Sequence, residues 1–208
     1  MTNRKPLPWQ RALLLAGSLL CATATHADAV WNTGPGHNGH AYRVVSVAGG
    51  ITWDAADIAA LALGGALATI TSADENDFVF AEAALHPSAW FTDTAGHARG
   101  PWLGGFQPPG SPEPAGGWQW VNGEGAVVYT DWAPGQPNNT AGIESRLQFY
   151  GATAAFDRVW NDASDTAVML GYVVEFSAPV PEPSPAALLL AGLLSAALIH
   201  HRRQGAQA

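Results

Sequence analysis

Cysteine, lysine and positive charge are what this sequence has least of. Its one cysteine, Cys21, sits in an N-terminal apolar stretch, so the chain downstream of it can close no intrachain disulfide and must hold its shape by packing. Lysine occurs only as Lys5. Between residues 30 and 179 the basic residues are Arg43, Arg99, Arg146 and Arg158, against fifteen Asp and Glu, a net charge near −11. A polyanion would be repelled, which excludes nucleic acid as a partner. The usual enzyme signatures are missing too: no Gly-x-Ser-x-Gly elbow, no phosphate loop and no His-Glu-x-x-His helix. Asp162 and Asp165 are a pair that a glycosidase could use, but no cleft is legible around them, and an enzyme is not expected.

The two ends read as export signals. Residues 1–29 join Arg4, Lys5 and Arg11 to the apolar run "ALLLAGSLLCATA" and to small residues at Ala27 and Ala29, the pattern of a cleaved secretory signal peptide. Residues 180–208 carry Pro181-Glu182-Pro183, an apolar run from Ala186 to Ile199, and the cations Arg202 and Arg203. At about 1.5 Å per residue that run reaches only about 21 Å as a helix, a marginal span of the roughly 30 Å hydrocarbon core. The order of tripeptide, short transmembrane helix and arginines resembles the PEP-CTERM sorting signal of Gram-negative bacteria. The resemblance implies transient anchoring in the inner membrane, processing by an exosortase-type protease, and delivery to the cell surface or exopolysaccharide matrix. A plain membrane anchor is the alternative.

What remains, residues 30–179, is one domain's length. It holds eight of the nine tryptophans, enough large apolar groups to build a core without disulfides. "AYRVVSV" reads as a strand broken by Gly49-Gly50. "TWDAADIAALAL" reads as a helix capped by Thr52, with Ala55, Ile58, Ala59 and Ala62 on its apolar face and Leu61 at the edge. "ALATI" is a short strand, and "TSADENDFVFAEAAL" a second helix, opened by the capping box Ser72/Glu75. "PWLGGF", "GGWQWVNGE", "ESRLQFYG" and "GYVVEFS" are further strands, separated by a long Gly- and Pro-rich region. Early helices and late strands give an α+β class.

That succession resembles a C-type lectin-like domain: "WLGGF" (102–106), "WQWVNGE" (118–124), the loop "WAPGQPNN", and "VWND" (159–162). The resemblance implies a fold of two helices, antiparallel sheets and a long ligand-binding loop. It also implies a calcium site made by Gln136, Asn138, Glu144, Asn161 and Asp162, at which two adjacent sugar hydroxyls meet the ion. A cis Gln136-Pro137 bond would turn both amide oxygens toward one ion. Tyr129 and Trp132 are candidates to stack on a sugar, with a core role the stronger reading for Trp132. The family's two disulfides are missing: Arg146 and Asp165 stand near one pair of positions, Ala60 and Val174 near the other. A second calcium site is not legible, since Ser145 stands where a carboxylate often follows. Calcium-dependent carbohydrate binding, including the cell's own exopolysaccharide, is the expected function; a structural or protein-binding scaffold without sugar binding is the alternative. Gln136-Pro137-Asn138 is a hybrid of the family's mannose-type and galactose-type triplets, so the glycan stays open.

Overall fold

The computed structural model describes residues 28–177; the expected signal peptide and sorting signal, with Pro181, Glu182, Pro183, Arg202 and Arg203, lie outside them. Among the described residues no helix is long and apolar enough to cross a membrane. The elements are β1 (Ala29–Val30), β2 (Ala41–Ile51), α1 (Trp53–Ala62), β3 (Ala66–Leu67), α2 (Ala73–Ala84), β4 (Phe91–Thr92), β5 (Ala98–Phe106), β6 (Gln119–Trp120), β7 (Gly125–Ala126), β8 (Glu144–Gly151), β9 (Val159–Ser164) and β10 (Met169–Phe176). Hydrogen bonding runs β1-β2-β10-β5-β6-β7, with β3 on β10, β4 and β8 on β5, and β9 on β8. All pairings are antiparallel except β5 with β10, which run parallel where Trp102 faces Tyr172. The expected α+β, C-type lectin-like architecture is present, with that one parallel pair making the sheet mixed.

Strands β5 and β10 are buried along nearly their whole length because helices or loops cover both faces. Alternation then sorts neighbouring side chains into two cores. Leu103 and Val173 join Trp31, Ile70, Val79, Trp90, Phe149 and Trp160 on the α2 side. Trp102 and Val174 join Trp53, Ala56, Ala60, Leu67 and Phe176 on the α1 side. The glycines of "WLGGF" permit this: a Cβ on Gly104 would lie 2.6 Å from the Leu67 carbonyl oxygen, so only glycine lets β3 approach β5. Ala60 and Val174, at one missing disulfide, pack into the same core. Arg146, at the other, lies 4.8 Å above the Trp53 ring and 3.2 Å from Asp54.

Three expectations are corrected. Helix α1 is rotated: Trp53, Ala56 and Ala60 face inward, while Ile58 and Leu61 are 69% and 61% exposed. An alanine-rich helix carries little angular preference of its own. The rotation is fixed instead by Trp53, whose buried Nε1 donates to the Leu103 carbonyl at 2.7 Å. Strand β2 runs through Gly49-Gly50 to Ile51, with a register irregularity opposite Met169 and Gly171. At α2, Ser72 Oγ accepts from the Glu75 amide at 3.2 Å, but the Glu75 carboxylate does not return to Ser72. It is buried and accepts from Thr71 N–H (2.6 Å), Thr71 Oγ1 (2.8 Å), Tyr42 Oη (2.5 Å) and Asn38 Nδ2 (2.8 Å).

Candidate functional site

Two segments meet at the edge of the sheet. The first is the loop from Asp131 to Ile143; the second is β9. Backbone bonds join them: Trp160 N–H donates to the Asp131 carbonyl at 2.8 Å, and Ala133 N–H to the Trp160 carbonyl at 2.9 Å. Pairing with β8 turns "VWND" into strand, although the sequence alone reads as a turn or cap as readily. The Gln136-Pro137 peptide bond is cis, as the resemblance implied; Glu113-Pro114 is also cis.

Asp162 is fully buried and organises the loop. Its carboxylate accepts from the Asn138 N–H at 3.0 and 3.1 Å and from the Asn139 N–H at 2.7 Å. Opposite it, Glu144 accepts from the Thr140 N–H at 2.8 Å, and its own N–H donates to Asn139 Oδ1 at 3.0 Å. Thr140 also holds Asn138, donating to Asn138 Oδ1 from its N–H at 3.0 Å and from its hydroxyl at 2.6 Å. Asn139 and Ala141 adopt left-handed backbone, φ 44° and 60°, to make this turn. Asparagine tolerates that region; alanine there costs of order 1 kcal/mol or more.

Asn138, Glu144 and Asp162 are thus brought into one hydrogen-bonded cluster. Gln136 is not bonded to it, and Asn161 joins it only at the Asp162 backbone carbonyl. Gln136 Oε1 is buried with no hydrogen-bond partner, a costly state for an amide oxygen. Asn161 is buried beside the Asp162 backbone carbonyl, to which its Nδ2 donates.

The electrostatics agree. Burial pushes the Glu144 carboxyl above its ordinary range; the Thr140 N–H opposes this, and the nearby Asp162 charge adds to it. No salt bridge among the described residues reaches Glu144 or Asp162. Two carboxylates that accept backbone N–H bonds but meet no salt-bridging cation, held by the loop that carries Gln136 and Asn138, fit an oxygen-seeking divalent ion such as calcium. Among the described residues no three His, Cys, Asp or Glu side chains gather to hold a metal. His37 and His40 go separate ways, His37 to the Gly34 carbonyl (2.9 Å) and His40 to Glu175 (2.5 Å).

Tyr129 and Trp132 both pack edge-on against Trp160, with ring centroids 5.5 and 5.8 Å away, and Trp132 also meets Trp118 at 5.0 Å. The core reading of Trp132 holds. The apolar group left at the rim is one that the sequence reading passed over, Ile143, 55% exposed and adjacent to Glu144. Its signal was that it is the one branched aliphatic residue in the loop. Asn139 and Thr140, the loop's internal braces, were likewise missed; only their backbone-bonding residue types hinted at the role.

No protein-family model matches the sequence. A perlucin-like protein of Mytilus galloprovincialis is 32% identical over 124 residues, 60% of this chain and 69% of that protein. Among solved structures, the C-type lectin CEL-I of Cucumaria echinata has a TM-score of 0.51 at 26% identity, covering 65% of this chain and 89% of that one. Herring type II antifreeze protein has a TM-score of 0.51 at 20% identity, covering 73% and 97%, a likeness of fold alone. With a relative at that identity matched over more than two thirds of its length, and a solved C-type lectin of the same fold, this chain belongs to the C-type lectin-like family.

Proposed function

We propose that the chain is an exported, calcium-dependent carbohydrate-binding module, with Gln136, Asn138, Glu144, Asn161 and Asp162 holding both ion and sugar. The observation that carries this is the buried, unpartnered Gln136 Oε1 in the loop that the Asp162 carboxylate fastens down through the Asn138 and Asn139 N–H groups. Calcium, when bound, offers coordination positions at which two adjacent hydroxyls replace water. The chain's own groups do the rest. Glu144 accepts a hydroxyl proton in a hydrogen bond, the Asn138, Asn161 and Gln136 amides donate to or accept from the same hydroxyls, and Ile143 meets the sugar's apolar face. Carbohydrate is therefore the partner, with the cell's own exopolysaccharide a candidate source. The route is export through residues 1–29, transient anchoring through residues 180–208, and release by an exosortase-type protease at a bacterial surface.

A second reading is a scaffold of the same fold that binds no sugar. The fold by itself does not choose between the two, since one fold hosts unrelated functions.

Only Glu144 and Asp162 bring charge to the ion, so calcium binding should be weak, at about 10⁻⁴–10⁻³ M. Calorimetric titration tests this. Gln136→Glu and Asn138→Asp should each tighten binding by adding a carboxylate, and Asp162→Ala should abolish it. If neither carboxylate tightens binding and Asp162→Ala leaves it unchanged, the ion is not held here and the scaffold reading takes over.

A further inference from the structure

Both segments of the site reach helix α2 at one side chain. Asn76 is fully buried, and each of its polar atoms is taken. Its Nδ2 donates to Asp131 Oδ2 at 2.9 Å and to the Arg158 carbonyl at 3.2 Å, while its Oδ1 accepts from Trp160 Nε1 at 2.9 Å. Asp131 opens the loop that carries Gln136 and Asn138; Arg158 and Trp160 come just before Asn161 and Asp162. Arg158 closes the arrangement from outside, its Nε 3.3 Å from Asp131 Oδ2 and its Nη1 bonded to Asp77, again on α2.

We infer that Asn76 is a positioning residue for the calcium and sugar site, fixing the loop and β9 in their mutual register from helix α2. The inference rests on the calcium reading above. Its physical content is preorganisation. Every residue of the loop that is ordered before the ion arrives is one whose entropy need not be lost on binding, so affinity rises with no added ligand. A disulfide-free loop needs such a clamp more than a stapled one. A buried amide suits the task because it can donate to a carboxylate and a carbonyl while accepting from an indole, whereas a carboxylate at the same place would face Asp131 with like charge.

The test is calcium titration of the full chain, well below the melting temperature of every variant. Asn76→Asp should weaken calcium about 10-fold, as loss of an outer-sphere partner does. The pair Asn76→Asp with Asp131→Asn exchanges acid and amide across that one contact and should restore part of the loss, the bond to the Arg158 carbonyl staying broken. Ala83→Gly, on the same helix but away from the site, lowers stability without touching either segment and should leave the affinity as in the wild type. Arg158→Gln gives a comparison at an exposed position, usable even where Asn76→Asp does not fold, and should weaken calcium severalfold. Wild-type affinity in Asn76→Asp and Arg158→Gln, with only the melting temperatures lowered, overturns the inference. So does a double variant no tighter than Asn76→Asp alone. Calcium binding that survives Asp162→Ala overturns instead the calcium reading on which the inference stands.

Discussion

Glu144, a proposed calcium ligand, shows how a residue kept for binding would burden its own fold. Burial and the Asp162 charge raise its carboxyl pKa above the unfolded value near 4.5, so without calcium the ionised form is disfavoured in the folded state. The sign follows. Below the unfolded pKa the carboxyl is protonated in both states and costs nothing; as pH rises through the window up to the folded value, folding must deprotonate against burial and stability falls. With chelator present, Glu144→Gln should therefore melt above the wild type at pH 7, the gap closing as pH drops below that window. With calcium present the order should invert, since the variant loses a charged ligand. Thermal melts at pH 4 and 7, with and without calcium, check both halves; a variant less stable than the wild type in chelator at pH 7 would refute it. At this scale the sequence was most legible where chemistry and spacing coincide. Gln136, Asn138, Glu144, Asn161 and Asp162 were named by resemblance, and their ligand role is the proposal made above. Asn76 could not be so named: an asparagine inside a helix looks like any solvated polar residue until Asp131 and Trp160 come to it from 55 and 84 positions away.

Elements were legible where local chemistry decides them and illegible where tertiary contact does. Thr52 and Ser72 cap their helices as expected, with side-chain oxygens accepting at 3.4 and 3.2 Å. Strand β8 spans the stretch read from its sequence, Glu144–Gly151. Strand β9 was hidden because "VWND" is strand only through its pairing with β8. Helix α1 was found but turned the wrong way, because Trp53, not the pattern of alanines and leucines, selects its buried face. That orientation is directly testable. Leu61→Gln, on the exposed side, should change stability by no more than about 0.5 kcal/mol. Ala60→Leu, in a fully buried and closely packed position, should cost about 1–3 kcal/mol through overpacking. Urea denaturation measures both; equal effects would mean that the helix sits differently.

For the whole molecule, the proposed function together with the lack of disulfides predicts that ligand binding contributes to holding the long loop. Anything that binds only the folded state stabilises it, by about 2.7 kcal/mol when free calcium is 100 times the dissociation constant. Melting temperature should therefore climb with calcium into the millimolar range and keep climbing, whereas reductant should do nothing, because no cysteine lies between residues 30 and 179. A calcium-independent melt would mean that the loop is ordered by packing alone, through Trp118, Trp132 and Trp160. Under the proposed function, the net negative charge would add long-range attraction for the ion and repel anionic polymers, so neutral glycans should bind better than sulfated or uronic ones.

The most direct test of sugar binding at this site is a glycan-array screen of the wild type and Asp162→Ala, each in calcium and in chelator. The account expects the wild type to bind a defined set of glycans in calcium only, with all signal lost in chelator and in Asp162→Ala under both conditions. Glycan binding that persists in chelator, or that Asp162→Ala retains in calcium, would contradict it.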